Sequence, residues 1–319
     1  MFHLSSMCRA LLALALALTA GPVVAQRHTH PAGEVVRRIP SNGHTYGVTI
    51  DPAGQVYVSQ VERGELVRVD FTSTRLPEVT SIGFQPPHVV VEPDGKSVFA
   101  TLQGGRAVVR ISTVTGQTMD SVGLGSDGFN LALDPDGAHL VATAAAGWAY
   151  RLLRAPLQIV DSLFVGRSPN GVVFAPDGKR LYVSSRDAGS VTVIDAATFR
   201  VLDRWVPGGQ LQRIAITPSG KDLYVADESP GGGVTRIDTR TGTSRRFLIE
   251  GTPYGIAVTP DGRRLWVLLL DQGSVAIFRL PGLTPVTTVK IGGRPRNVAF
   301  TARGDRAAIT TEIAIVLLR

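Results

Sequence analysis

The side chains best equipped for chemistry in this sequence recur in step. Two successive positions, repeated every 41 or 42 residues, hold Tyr46-Gly47, Pro87-His88, Phe129-Asn130, Asn170-Gly171, Gln212-Arg213, Tyr254-Gly255 and Arg296-Asn297. Aromatics, amides, an imidazole and guanidiniums brought together at one register position would form a site of convergent polar groups. Tyr46, His88, Asn130, Asn170, Arg213, Tyr254 and Arg296 are therefore the expected ligand-binding residues. Acid–base chemistry would fall to His88 with a carboxylate beside it, with His44 two positions outside the register. A Ca²⁺ ion takes six or more oxygen ligands. Asn130, Asn170, Asn297, Asp227 and Glu312 are the right types for it, although no spacing motif selects them. Of these, Asp227, Asn297 and Glu312 are the metal candidates. No catalytic triad or metal-binding spacing is present.

A second metal possibility depends on processing. Arg9 precedes an apolar run from Ala10 to Ala17, Gly21-Pro22 breaks it, and Val23 and Ala25 place small residues before a cleavage point. That order of charge, apolar run and small residues predicts a secretory signal peptide over 1–25. The mature chain would then begin Gln26-Arg27-His28. Its free amine, two amides and the His28 imidazole would make a square-planar set for Cu(II) or Ni(II); the plainer reading is an untethered leader. Cys8, the one cysteine, lies before the apolar run. It is not placed for lipidation, and the mature chain can form no disulfide and no C-x-x-C-H site for covalent haem. No later stretch approaches the roughly 20 apolar residues of a membrane span. The expected location is periplasmic or secreted.

The formal net charge is +7. The basic residues occur singly or in pairs such as Arg37-Arg38, Lys179-Arg180, Arg245-Arg246 and Arg263-Arg264, with acids close by. Such dispersion reads as a solvated surface rather than a nucleic-acid footprint. Binding of single strands stays open, because Tyr46, Phe129 and Tyr254 are able to stack bases among Arg213, Arg294 and Arg296.

These residues must be positioned by a repeat. A turn signature recurs as DPAG (51–54), EPDG (92–95), DPDG (134–137), APDG (175–178), TPSG (217–220), TPDG (259–262) and a worn TARG (301–304), at spacings of 41, 42, 41, 42, 42 and 42. Proline supplies a fixed φ, Asp bonds the local backbone and Gly accepts positive φ, so each is a tight hairpin. Around one turn, Gly171–Phe174, Leu181–Ser184, Ser190–Asp195 and Arg200–Val206 read as four short strands rich in β-branched residues, with no helical period. A four-stranded unit of this length is the size of a propeller blade, and such sheets stack radially around a channel. The predicted fold is all-β: a seven-bladed β-propeller of four-stranded antiparallel blades, one domain over 26–319.

The last repeat predicts how the ring closes. From Pro295 only 25 residues remain, too few for a fourth strand, while residues 26–42 supply 17 before the first full repeat. Together they make one repeat. In register, Val35 matches Val201, Arg38 matches Arg204 and Gly43 matches Gly209. The segment 26–42 is thus expected to complete blade seven and remove an exposed sheet edge.

Tyr182-Val-Ser-Ser185 followed by Gly189–Asp195 resembles the YVTN repeat of bacterial and archaeal surface and periplasmic propellers. Looser copies are Tyr57–Gln60, Tyr224–Asp227 and Trp266–Leu269; Phe99–Leu102, Val141–Ala144 and Ala308–Thr311 have drifted further. The resemblance implies that strand one of each blade lines the channel and starts at the top face, opposite the Pro-Asp-Gly turns. It thereby places the two varied positions at the top rim, where the loops after strand two add Glu62-Arg63, Arg106, Trp148, Arg186-Asp187, Asp227-Glu228, Asp271 and Glu312. The expected function is recognition of a small molecule, polymer or envelope protein by this top-face funnel. The alternative is a metal-assisted, lactonase-like hydrolase or a lyase at the channel mouth.

Overall fold

A computed structural model describes residues 33–319. The signal peptide expected over 1–25 and the Gln26–His28 metal set lie outside the described residues. Among the described residues there are 28 strands, β1 to β28 in chain order, in seven four-stranded antiparallel sheets and no helix. Six blades are consecutive quartets: Thr45–Ser81, His88–Gly123, Gly128–Phe164, Pro169–Trp205, Leu211–Leu248 and Pro253–Lys290. The seventh sheet runs β1 (Val35–Pro40), β28 (Ala314–Leu318), β27 (Ala307–Thr310), β26 (Asn297–Phe300).

Burial explains the shape of a blade. The second strand is almost wholly buried, as in Arg264–Leu269, because both of its faces meet neighbouring sheets, whereas the fourth, Thr284–Lys290, is mostly exposed. Seven apolar clusters fill the seven gaps between adjacent blades. The aromatic residue that opens each well-kept motif belongs to these clusters: Tyr57, Tyr182, Tyr224 and Trp266 are all buried. Each motif copy is therefore first a packing device.

All seven Pro-Asp-Gly-type turns close with the same bond, from the glycine N–H to the carbonyl three residues back, at 2.8 to 2.9 Å. Each glycine has positive φ, between 68° and 88°, a region that glycine enters without a steric penalty. Asp94, Asp136 and Asp177 each accept the N–H two residues on.

The ring closes as the register requires. Arg38 lies opposite Val316 as Arg204 lies opposite Thr192, and Val35 opposite Leu318 as Val201 opposite Ile194. The clasp reaches both neighbouring blades: the Arg37 guanidinium donates to the Asp70 and Ser73 carbonyls of blade one, and Arg38 to the Ile291 carbonyl after blade six. Ile39 joins the cluster between blades seven and one. Glu34 and Arg319 exchange backbone bonds of 3.0 and 3.1 Å and a side-chain ion pair of 2.9 Å.

Candidate functional site

The two varied positions open the innermost strand of each blade, at the end away from the Pro-Asp-Gly turns. In five of the seven blades the pairing with strand two slips there, between Thr45 and Val48, Gly128 and Leu131, Pro169 and Gly171, Leu211 and Ile214, and Pro253 and Ile256. A β-bulge of this kind sets two residues against one and re-aims the side chains it carries. The part of the repeat that varies in sequence thus carries a bulge in these blades; a second register shift lies between the third and fourth strands of five blades.

In four of the seven motif copies the third residue holds the backbone at the start of the innermost strand. The hydroxyls of Ser59, Thr143, Ser184 and Thr310 accept the N–H of Gly47, Asn130, Gly171 and Asn297 at 2.9 to 3.1 Å. Those of Thr101, Ser184 and Thr310 also donate to the next blade, to the carbonyls of Phe129 (3.1 Å), Gln212 (2.6 Å) and Tyr46 (2.6 Å). One hydroxyl so ties two adjacent blades together at the rim. Ala226 and Leu268 stand at this place in blades five and six. Gly47, Gly171 and Gly255 let the strands approach: a Cβ at Gly47 would lie 2.8 Å from the His88 Cα, and one at Gly255 2.4 Å from the Arg296 carbonyl oxygen.

On this frame the columns converge. Tyr46 from blade one and Tyr254 from blade six meet edge to face, centroids 6.3 Å apart at 82°, with their hydroxyls hydrogen-bonded to each other. The Arg296 guanidinium of blade seven lies 5.4 Å from the Tyr46 ring centroid and 5.3 Å from that of Tyr254. Arg213 of blade five reaches the Tyr46 ring at 5.8 Å. His88 of blade two keeps some exposed surface, yet burial first and the Arg213 charge second hold its imidazole well below the usual pKa. It is neutral at neutral pH. Burial, then the neighbouring Tyr46, pushes the Tyr254 phenol well above its ordinary range.

Arg213 is 6% exposed, and its Nε and Nη1 have no hydrogen-bond partner. Neither it nor Arg296 forms an ion pair among the described residues. The His88 Nδ1 is likewise buried without a partner. Guanidinium groups do not lose their proton in proteins, so these two charges persist at the centre of the ring.

The remaining candidates have local partners. The Asn170 amide donates to Gln212, the rim residue beside Arg213. The Asn130 side-chain oxygen accepts the Leu131 N–H at 2.9 Å, and the Asn297 amide donates to the Tyr46 carbonyl at 2.8 Å. Asp227, 1% exposed, accepts from the backbone of Gln210 and Ser229 and pairs with Arg246 at 2.7 Å. Glu312 accepts the Arg294 N–H. The three metal candidates therefore each serve a loop or a strand start, and among the described residues no hydrogen bond links one to another. Asp134, Asp136 and His139, at the opposite face, bring ligating atoms within 4.8 Å of one another. There the Asp136 carboxylate makes the same turn bond as its counterparts in blades two and four. Of the three aromatics offered for stacking single strands, Tyr46 and Tyr254 already carry the Arg296 guanidinium and Tyr254 is only 7% exposed, while Phe129 is half-buried.

Comparison with known proteins agrees with this architecture. A chain titled Kuenenia stuttgartiensis Hydrazine Synthase superposes with a TM-score of 0.81 at 19% identity, covering 92% of this chain and 98% of that one; at that identity the likeness is one of fold. No curated protein matches the sequence. The family model described as YNCE-like beta-propeller matches residues 35–209, more than half of the chain. The bulged rim, the hydroxyl staples and the clasped seventh blade thus stand in a seven-bladed propeller of the YVTN type, and the chain belongs to the YNCE-like β-propeller family.

Proposed function

We propose that this protein is an exported, non-catalytic binding protein whose top-face channel mouth holds a ligand. The observation that carries the reading is convergence: Tyr46, His88, Arg213, Tyr254 and Arg296 come from five different blades and meet around one ring centre. The opposite face repeats one turn seven times. A scaffold alone has no need for a buried, unpaired guanidinium, and such groups are tolerated where they meet a ligand. The hydrolase alternative has less support, because Asp227, Asn297 and Glu312 are occupied by local bonds. Export rests on the charge, apolar and small-residue order of residues 1–25.

A thermal-shift screen of the mature protein against small carboxylates, phosphates, sugars, lactones, metal ions and oligonucleotides tests the reading. At least one small molecule is expected to raise the melting temperature of the parent and not of Arg296→Ala. A screen in which every effective compound acts equally on both proteins would remove the channel mouth as the site.

A further inference from the structure

An arginine in the middle of a β-propeller poses a problem of charge. Transfer of an ionised group from water is unfavourable unless it is paired and hydrogen-bonded. Lysine or histidine can answer by losing a proton, as His88 does here, but arginine cannot. Arg213 keeps its charge while two of its three donor nitrogens, Nε and Nη1, face no acceptor. A second guanidinium, Arg296, lies against the same Tyr46 ring. The face of one aromatic ring offsets only part of such a charge. No carboxylate of this chain pairs with either arginine among the described residues.

The geometry points to an oxyanion as the missing partner: the channel mouth binds a small molecule through a carboxylate or phosphate group placed between Arg213 and Arg296. This rests on the channel-mouth reading above and names the chemical class of its ligand. The two forks of the planar guanidinium, Nε with Nη2 and Nη1 with Nη2, each match two oxygens of one carboxylate or phosphate, and each contains one of the two unpartnered donors. The hydroxyl pair of Tyr46 and Tyr254 uses one proton internally, which leaves the other to donate outward. Arg296, only partly buried, stands nearer solvent as the second positive wall. The near-complete burial of Arg213 and Tyr254 limits access to a slender anionic group.

The test uses the mature full chain, with succinate and inorganic phosphate as probes, sodium chloride at matched ionic strength as the baseline and succinamide as the neutral analogue. Phosphate also stabilises proteins by exclusion from their surface, so variants decide. Arg213→Gln removes both forks; Arg263→Gln removes a guanidinium that is 78% exposed beside a turn on the opposite face. The parent and Arg263→Gln are expected to gain melting temperature with succinate, phosphate or both. Arg213→Gln should lose that gain, and calorimetry should show binding weakened by about 10- to 100-fold. Arg296→Gln, at the more open position, provides a second loss should Arg213→Gln fold poorly. Response to succinate alone identifies a carboxylate ligand and to phosphate alone a phosphorylated one; either supports the proposal. Equal shifts in the parent and both rim variants overturn it. So does an Arg296-dependent shift with a neutral compound and none with anions, an outcome that leaves the channel-mouth reading intact. Absence of any rim-dependent shift, neutral or anionic, removes both.

Discussion

Arg213 and His88 meet the same surroundings with opposite chemistry, and both consequences are measurable. With no ligand bound, Arg213 is a liability to stability: Arg213→Met removes two unsatisfied buried donors and a charge while keeping a long stem. The variant is expected to be more stable than the parent in anion-free buffer, by about 1–3 kcal/mol, as read by chemical denaturation. A less stable variant would mean that the charge is compensated within the protein. His88 acts through the proton it refuses. Its folded pKa lies well below the ordinary 6.5, with Arg213 the charge that faces it. Above about pH 6.5 neither the folded nor the unfolded chain protonates it. As pH falls below that value the unfolded chain takes up a proton that the folded one does not, and stability is lost at up to about 1.4 kcal/mol per pH unit. Denaturation midpoints of the parent and His88→Asn should therefore diverge from pH 7 to pH 5, with the variant favoured on the acid side. Parallel curves would contradict the buried neutral imidazole.

At the scale of elements, the rim depends on a hydroxyl and a glycine that look ordinary in sequence. Thr310 accepts the Asn297 N–H and donates to the Tyr46 carbonyl, so Thr310→Val leaves the buried Asn297 N–H unmet and takes one of two donors from the Tyr46 carbonyl while preserving shape. It should destabilise by about 1–3 kcal/mol, while Thr310→Ser, which keeps the hydroxyl, should stay near the parent. Gly47→Ala should lower stability by about 1–3 kcal/mol through overpacking, because the added Cβ would meet backbone atoms of His88 and Val89 at 2.8 Å. The same change at Gly208, open to 4 Å around its Cβ, would suffer only its positive φ. These devices explain what was legible and what was not. Pro-Asp-Gly turns and alternating strands are local patterns, and the spacing of Pro52, Pro93 and Pro135 announces them. The rim columns were legible as the place where the repeat varies. The bulge was not, because pairs as unlike as Tyr46-Gly47, Phe129-Asn130 and Gln212-Arg213 all adopt it. The contact between Tyr46 and Tyr254 joins residues 208 apart and depends on ring curvature, which no single repeat encodes.

The whole molecule rests on closure, because each apolar cluster needs sheets on both sides. Deleting residues 26–42 removes β1, strips Ile39 from the gap between blades seven and one, and frees the β28 edge. A truncated protein should lose cooperative unfolding, as a ring without its clasp exposes a pairing edge; a melt that overlays the parent's would refute the role of the N-terminal strand. That clasp was readable from arithmetic alone, since two partial repeats sum to one. Function was less readable, because it depends on which columns meet across the ring and which charges find no partner. The ring brings five blades to one place, and the account stands on Arg213 being the group that meets an anion there. Arginine-selective ¹⁵N labelling gives the side-chain Nε–H signals, with that of Arg213 assigned by its loss in Arg213→Gln. Titration with succinate and, separately, phosphate is predicted to move this signal saturably with at least one of them while the exposed Arg263 signal stays in place. An Arg213 signal that stays fixed through both titrations, in protein whose fold is intact, would contradict it.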